Sequence, residues 1–123
     1  MSSVQATPSR DFYVHIGAPD PIIVRYRAGG TDGTLVSFDT SLKFTFFNAA
    51  GTVTLGVGSG ITLSADETVP DARATIQMTL AQSRTIPEGP LTRYEIQRTT
   101  SGREEVFMMG TLIGEGGDNP DGA

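Results

Sequence analysis

Glycine and proline punctuate this chain so often that strands between turns, and no long helix, are expected. Turn signals recur along the chain at the short spacing of an all-β domain, among them "GAPDP" (Gly17–Pro21), "GGTDG" (Gly29–Gly33), "NAAG" (Asn48–Gly51), "GSG" (Gly58–Gly60) and "PEGP" (Pro87–Pro90). The runs between them alternate apolar and polar residues with a period of two. "SLKFTFF" is the clearest: Leu42, Phe44 and Phe46 face one way, Lys43 and Thr45 the other. In "IIVRYRA", Ile22, Val24 and Tyr26 oppose Arg25 and Arg27. In "ARATIQMTL", Ala74, Ile76, Met78 and Leu80 oppose Arg73, Thr75, Gln77 and Thr79. Period two is the mark of a strand with one buried face. The one helical signal is short: Thr79 and Gln82 have the spacing of a capping box.

The pattern predicts an all-β domain of about seven to nine short strands, an antiparallel β-sandwich with immunoglobulin-like character. The 123 residues suffice for one such domain and its core. Residues 1–10 are small and polar and predict a flexible tail; 11–114 form the folded domain; 115–123, "EGGDNPDGA", predict a second tail.

Composition narrows the functional classes. There is no cysteine and one histidine, His15, so neither thiolate chemistry nor a Cys/His zinc site is expected. A net charge of −5 disfavours nucleic acid as the main partner. No apolar run approaches the ~20 residues of a spanning helix, and "MSSVQATPSRD" lacks the layout of a signal peptide.

The small constellations read as structure. His15 has no nucleophile motif beside it and reads as an ordinary strand histidine. Asp66–Glu67 and Glu104–Glu105 are adjacent, and neighbours on a strand point to opposite faces. "GVGSG" (Gly56–Gly60) precedes a strand and lacks a lysine, so a turn or bulge is expected instead of a phosphate loop. Asp118, Asn119 and Asp121 lack the distal glutamate of an EF-hand loop. No catalytic residue, metal or cofactor is expected.

One stretch departs from simple alternation. In "LTRYEIQRTTSGREEVFMMGTLIGEGG" the first strand places Tyr94 and Ile96 on a core face, with Arg93, Glu95 and Gln97 outward. The second is apolar on both faces: Val106, Met108 and Leu112 on one, Phe107, Met109 and Ile113 on the other. A sandwich strand needs one apolar face. The second face is expected to be covered by the chain's own tail or loops, to meet another subunit, or to line a ligand groove. Phe107, Met109 and Ile113 are thus the candidate partner interface, since Phe and Met are favoured there.

The order of motifs resembles small phage virion β-sandwich domains, such as the particle-anchoring N-terminal domains of upper-baseplate and tail-fibre proteins. The resemblance spans about residues 12–114, through "DPIIVRYRAGGTDGTLVSF", "LKFTFFNAAGTVTL", "GITLSADE", "ARATIQMTLAQSRTIPEG" and "TRYEIQRTTSGREEVFMMGTLIGEGG". It implies a non-enzymatic structural protein, made in the host bacterial cytoplasm and located in the virion. Its partners would be other virion proteins of the tail, baseplate, fibre attachment or head, with homo-oligomers, trimers among them. With no fibre shaft after "IGEGGDNPDGA", the expectation is an adaptor, plug or decoration subunit. The alternative is a carbohydrate-binding module in host adsorption, against which the absence of tryptophan counts.

Overall fold

The computed structural model describes residues 9–25, 27–28, 34–100 and 102–116, with the side chains of 27, 28, 34, 100 and 107 outside that description. Tyr26, the "GGTDG" turn, most of the expected tails and Asp118, Asn119 and Asp121 lie outside the described residues.

Among the described residues ten strands and one helical turn follow in order: β1 (Phe12–His15), β2 (Ile22–Val24), β3 (Arg27–Ala28), β4 (Thr34–Leu35), β5 (Lys43–Asn48), β6 (Gly51–Val57), β7 (Gly60–Asp66), β8 (Val69–Ile76), α1 (Leu80–Ser83), β9 (Gly89–Thr100) and β10 (Arg103–Glu115). The chain is all-β, as the turn spacing predicts. Eight strands join one sheet in the order β1-β10-β9-β5-β6-β7-β8-β2, and β3 pairs with β4 separately. The sheet is mixed, not wholly antiparallel as expected. β1 runs parallel to β10, and β6 runs parallel to β7 over Gly56–Gly60 and Val57–Ile61 alone. The terminal strands β1 and β2 are joined by Ile16–Pro21, and the sheet curls into a nearly closed barrel.

Alternation selects the core. Phe44 and Phe46 of β5, Leu55 of β6, Ile61 of β7, Ala74 and Ile76 of β8, Tyr94 and Ile96 of β9 and Leu112 of β10 are all buried in one cluster. Registers explain how they meet: Phe44 lies between Leu55 and Ile96, and Ile76 between Ile61 and Ile22. Phe44 and Tyr94 approach with ring centroids 5.5 Å apart, a tilted pair that adds roughly 0.5–1.5 kcal/mol beyond burial.

Two local expectations change. The segment Ala65–Ala72, whose sequence "ADETVPDA" predicts an acidic loop, is a tight hairpin instead: β7 reaches Asp66 and β8 starts at Val69. Its turn residues Glu67 and Thr68 both have positive φ (51° and 70°), which only a primed turn tolerates and which the sequence does not announce with glycine. Leu80, expected inward, is 48% exposed because α1 breaks the strand periodicity there. The Thr79–Gln82 capping box forms in both directions, with Gln82 N–H donating to Thr79 Oγ1 (3.0 Å) and Thr79 N–H to Gln82 Oε1 (2.8 Å).

The glycine run Gly56–Gly60 forms a turn, as expected. Gly56 N–H donates to the Ser59 carbonyl (3.1 Å) and Ser59 N–H to that of Gly56 (2.8 Å). The strand sidesteps here between pairing with β5 and pairing with β8. Gly60 adopts φ +107°, and a Cβ there would stand 2.4 Å from Leu55 Cδ2.

The segment leading into β1 docks on β10. Ser9 and Arg10, expected within the tail, pair with Met109; Arg10 N–H donates to the Met109 carbonyl (3.0 Å). Thr111 N–H donates to Asp11 Oδ1 (3.1 Å), and the Tyr94 hydroxyl donates to the Arg10 carbonyl (2.5 Å). Gly110 permits this approach: a Cβ there would stand 2.0 Å from the Arg10 carbonyl oxygen, a backbone atom that cannot swing aside. Gly110→Ala is therefore expected to destabilise the fold by about 1–3 kcal/mol, read as a lower urea midpoint with an unchanged m-value. An unchanged midpoint would show that β1 does not hold this position in solution.

Candidate partner-binding surface

The hairpin β9–β10 sets which side chains face outward. Ile96 lies opposite Met108, Tyr94 opposite Gly110 and Thr92 opposite Leu112, and this side turns to the core. Met109 lies opposite Glu95 and Thr111 opposite Arg93, on the outer side. Tyr94, Ile96, Met109 and Ile113 thus take the faces that alternation assigns.

Val106 does not. The register slips between Val106 and Met108, leaving Phe107 as an extra residue. Val106 is opposite Gln97, and opposed residues share a face, so it sides with Met109 instead of Met108. The side chain of Phe107, one of the three expected interface residues, lies outside the described structure. A second slip between Leu112 and Gly114 sets Pro90 and Leu91 against Ile113.

β1 enlarges the outer face. In its parallel register Tyr13 lies beside Ile113, and Phe12 beside Leu112. Tyr13 is 66% exposed and Leu91 63%. With half-buried Ile113 and Met109 they form an apolar patch on the outer side. Residues 9–15 thus extend the sheet along the edge of β10, and Tyr13 contributes to the outer face.

The polar surroundings hold the hairpin in place. Lys43 donates to Glu104 (2.7 Å) and Arg98 to Glu105 (3.2 Å). Both acids are exposed, so each pair contributes ~0–1 kcal/mol. Gln97 Nε2 donates to Glu95 Oε1 (2.9 Å) on the outer face. The Arg10 guanidinium sits 5.2 Å from the Phe12 ring centroid, and Phe12 packs 5.5 Å from Tyr94.

The remaining candidates are placed as follows. His15 is exposed at the end of β1, opposite Glu115. Asp66 is buried and paired with the guanidinium groups of Arg25 and Arg73, while Glu67 occupies the turn. Asp66 and Glu67 therefore do not face one site as a pair of acids. Among the described residues no three His, Cys, Asp or Glu side chains are grouped to hold a metal ion. Among the same residues no helix is long and apolar enough to cross a membrane. Compared with protein-family models and with curated protein sequences, the chain matches none.

Burial, reinforced by the negative charge of Asp11 and opposed by Arg10, pushes the Tyr94 hydroxyl from 10.0 to about 12. The fold favours the protonated phenol. Its contribution is full below pH 10 and is lost as pH rises toward 12. In Tyr94→Phe the alkaline loss of stability over that window is expected to flatten. At neutral pH the same variant is expected to lose about 1–2 kcal/mol, because the Arg10 carbonyl loses its donor. Urea denaturation at pH 7 and across pH 10–12 checks both.

Proposed function

We propose that this domain is a structural subunit of a bacteriophage particle, binding other virion proteins of the tail, baseplate, fibre attachment or head. The observation that carries the binding role is the outer apolar patch of Tyr13, Leu91, Met109 and Ile113. Monomeric proteins usually scatter exposed apolar residues singly, and a cluster rimmed by polar side chains such as Arg93 and Glu95 is characteristic of a contact surface. The virion assignment rests on the motif order in the sequence. On a symmetric particle many copies of a modest contact act together, and a homo-oligomer, a trimer for example, repeats the patch around an axis. We read the barrel as flattened into a sandwich with immunoglobulin-like wrapping: β1, β10, β9, β5 and β6 in one layer, β7, β8 and β2 in the other. The two-pair junction of β6 with β7 supports that division.

A second reading, a carbohydrate-binding module, is favoured by one observation, the exposed ring of Tyr13. Sugar sites often use an aromatic platform.

The double variant Tyr13→Ser/Met109→Asp separates these. Under the preferred reading it folds, with an unchanged circular dichroism spectrum, and is depleted about tenfold or more from purified particles, a loss of roughly 1.4 kcal/mol or more. Undiminished incorporation of the folded variant would remove this patch from the assembly. Glycan-array binding by the wild type that is lost in Tyr13→Ser would favour the sugar module.

A further inference from the structure

The strand β6 has a second feature, independent of the outer patch and of the virion reading. It pairs with β5 from Gly51 to Gly56, but with β7 only at Gly56 and Val57. From Gly51 to Leu55 its other side has no strand partner among the described residues. The hairpin β5–β6 closes with Asn48 opposite Gly51. In an antiparallel pair the bonded positions alternate. Gly51, Val53 and Leu55 therefore direct their backbone groups to β5, and Thr52, Thr54 and Gly56 direct theirs away. Gly56 agrees with this parity, because its N–H and carbonyl are taken by Ser59 in the sidestep. Thr52 and Thr54, both exposed, present two N–H and two C=O groups at an open edge.

Natural edges are guarded by charge, proline or shortness. The strands at the ends of the sheet follow that rule. β2 has three residues between Pro21 and Arg25, and β1 follows Arg10 and Asp11. Beyond the sidestep, β7 ends at Asp66, followed by Glu67. β6 has no guard. Between Lys43 and Asp66 no residue is charged and none is proline.

We propose that the open edge of β6 pairs with β6 of a second copy of this chain, antiparallel about a two-fold axis at Val53. The sequence is self-complementary in that register. Thr52 meets Thr54 of the other copy, and each such pair exchanges two backbone hydrogen bonds, using the four groups that point outward. Val53 meets its own counterpart at the axis. Threonine pairs across strands are favourable, and the outer face already holds one, with Thr45 and Thr54 hydroxyls 3.2 Å apart. A chain of net charge −5 repels its copies, and the neutral stretch from Phe44 to Ala65 is where that repulsion is least local. The contact is a short strand pair, so the affinity falls in the weak class, with a dissociation constant of order 0.1–1 mM.

The test is sedimentation equilibrium of the full chain from ~10 µM to ~1 mM, with amide hydrogen exchange read at Thr52 and Thr54. Dimer formation is expected, with both amides becoming protected as the concentration rises. Thr54→Pro removes an outward N–H without touching the β5 ladder, and Thr52→Lys places a charge on the edge. Each variant is expected to weaken dimerisation about tenfold or more, with unchanged circular dichroism. If Thr54→Pro fails to fold, Thr52→Lys alone decides. A wild type that stays monomeric to ~1 mM overturns the proposal. So does protection of the Thr52 and Thr54 amides independent of concentration, which would mean that the chain fills its own edge. A dimer that Thr52→Lys leaves intact also overturns it.

Discussion

The Arg10 carbonyl occupies the space where a side chain on residue 110 would begin. The sheet depends on that backbone contact. It sets β1 against β10 in parallel register, and the Tyr94 hydroxyl, Asp11 and Phe12 all bond or pack around it. Without β1, the thirteen-residue strand β10 would be a bare edge. With it, that edge is paired, and the six-residue link to β2 draws the opposite end of the sheet round. Gly114 makes similar room further along the same strand, where a Cβ would stand 2.3 Å from the Pro87 carbonyl oxygen. The glycines of "MGTLIG" are thus spaces that other backbone fills.

Much of the fold is legible because burial on one face writes itself into the sequence with period two. Alternation assigns Phe44, Phe46, Ala74, Ile76, Tyr94 and Ile96 inward, and all are buried. The capping box of Thr79 and Gln82 is legible for a different reason, since both partners are local. What cannot be read is long-range or off-pattern. A parallel pairing between Phe12 and Leu112 leaves no mark near either residue. The Glu67–Thr68 turn lacks the glycine that usually signals it. The outer face is half legible: Met109 and Ile113 fall where alternation puts them, whereas the slip at Phe107 turns Val106 over. The run of four large apolar residues "VFMM" is its only trace, because a bulge inserts a residue and so breaks the period. Tyr13 joins the patch through tertiary pairing alone.

The two surfaces differ in the physics of what they accept. The patch on β1, β9 and β10 offers side chains, and its selectivity is one of shape and of the polar rim around it. The edge of β6 offers main-chain groups, which bind any extended strand in principle and are restricted by what flanks them. A domain with both can contact neighbours along two directions of the sheet, across its face and in its plane.

The parallel docking of β1 also constrains when this protein can become itself. Asp11 and Thr111 are separated by 100 residues, and Arg10 and Tyr94 by 84. On the ribosome, β1 emerges before the other strands of this sheet and must wait for all of them, since its partner β10 is the last of them in chain order. Pairings this distant in the chain form slowly. Until they form, β10 and the open edge of β6 coexist as unsealed strand borders in one molecule. The interval between synthesis and closure is therefore the period of greatest exposure to mispairing, and it is set by topology, however favourable the finished core.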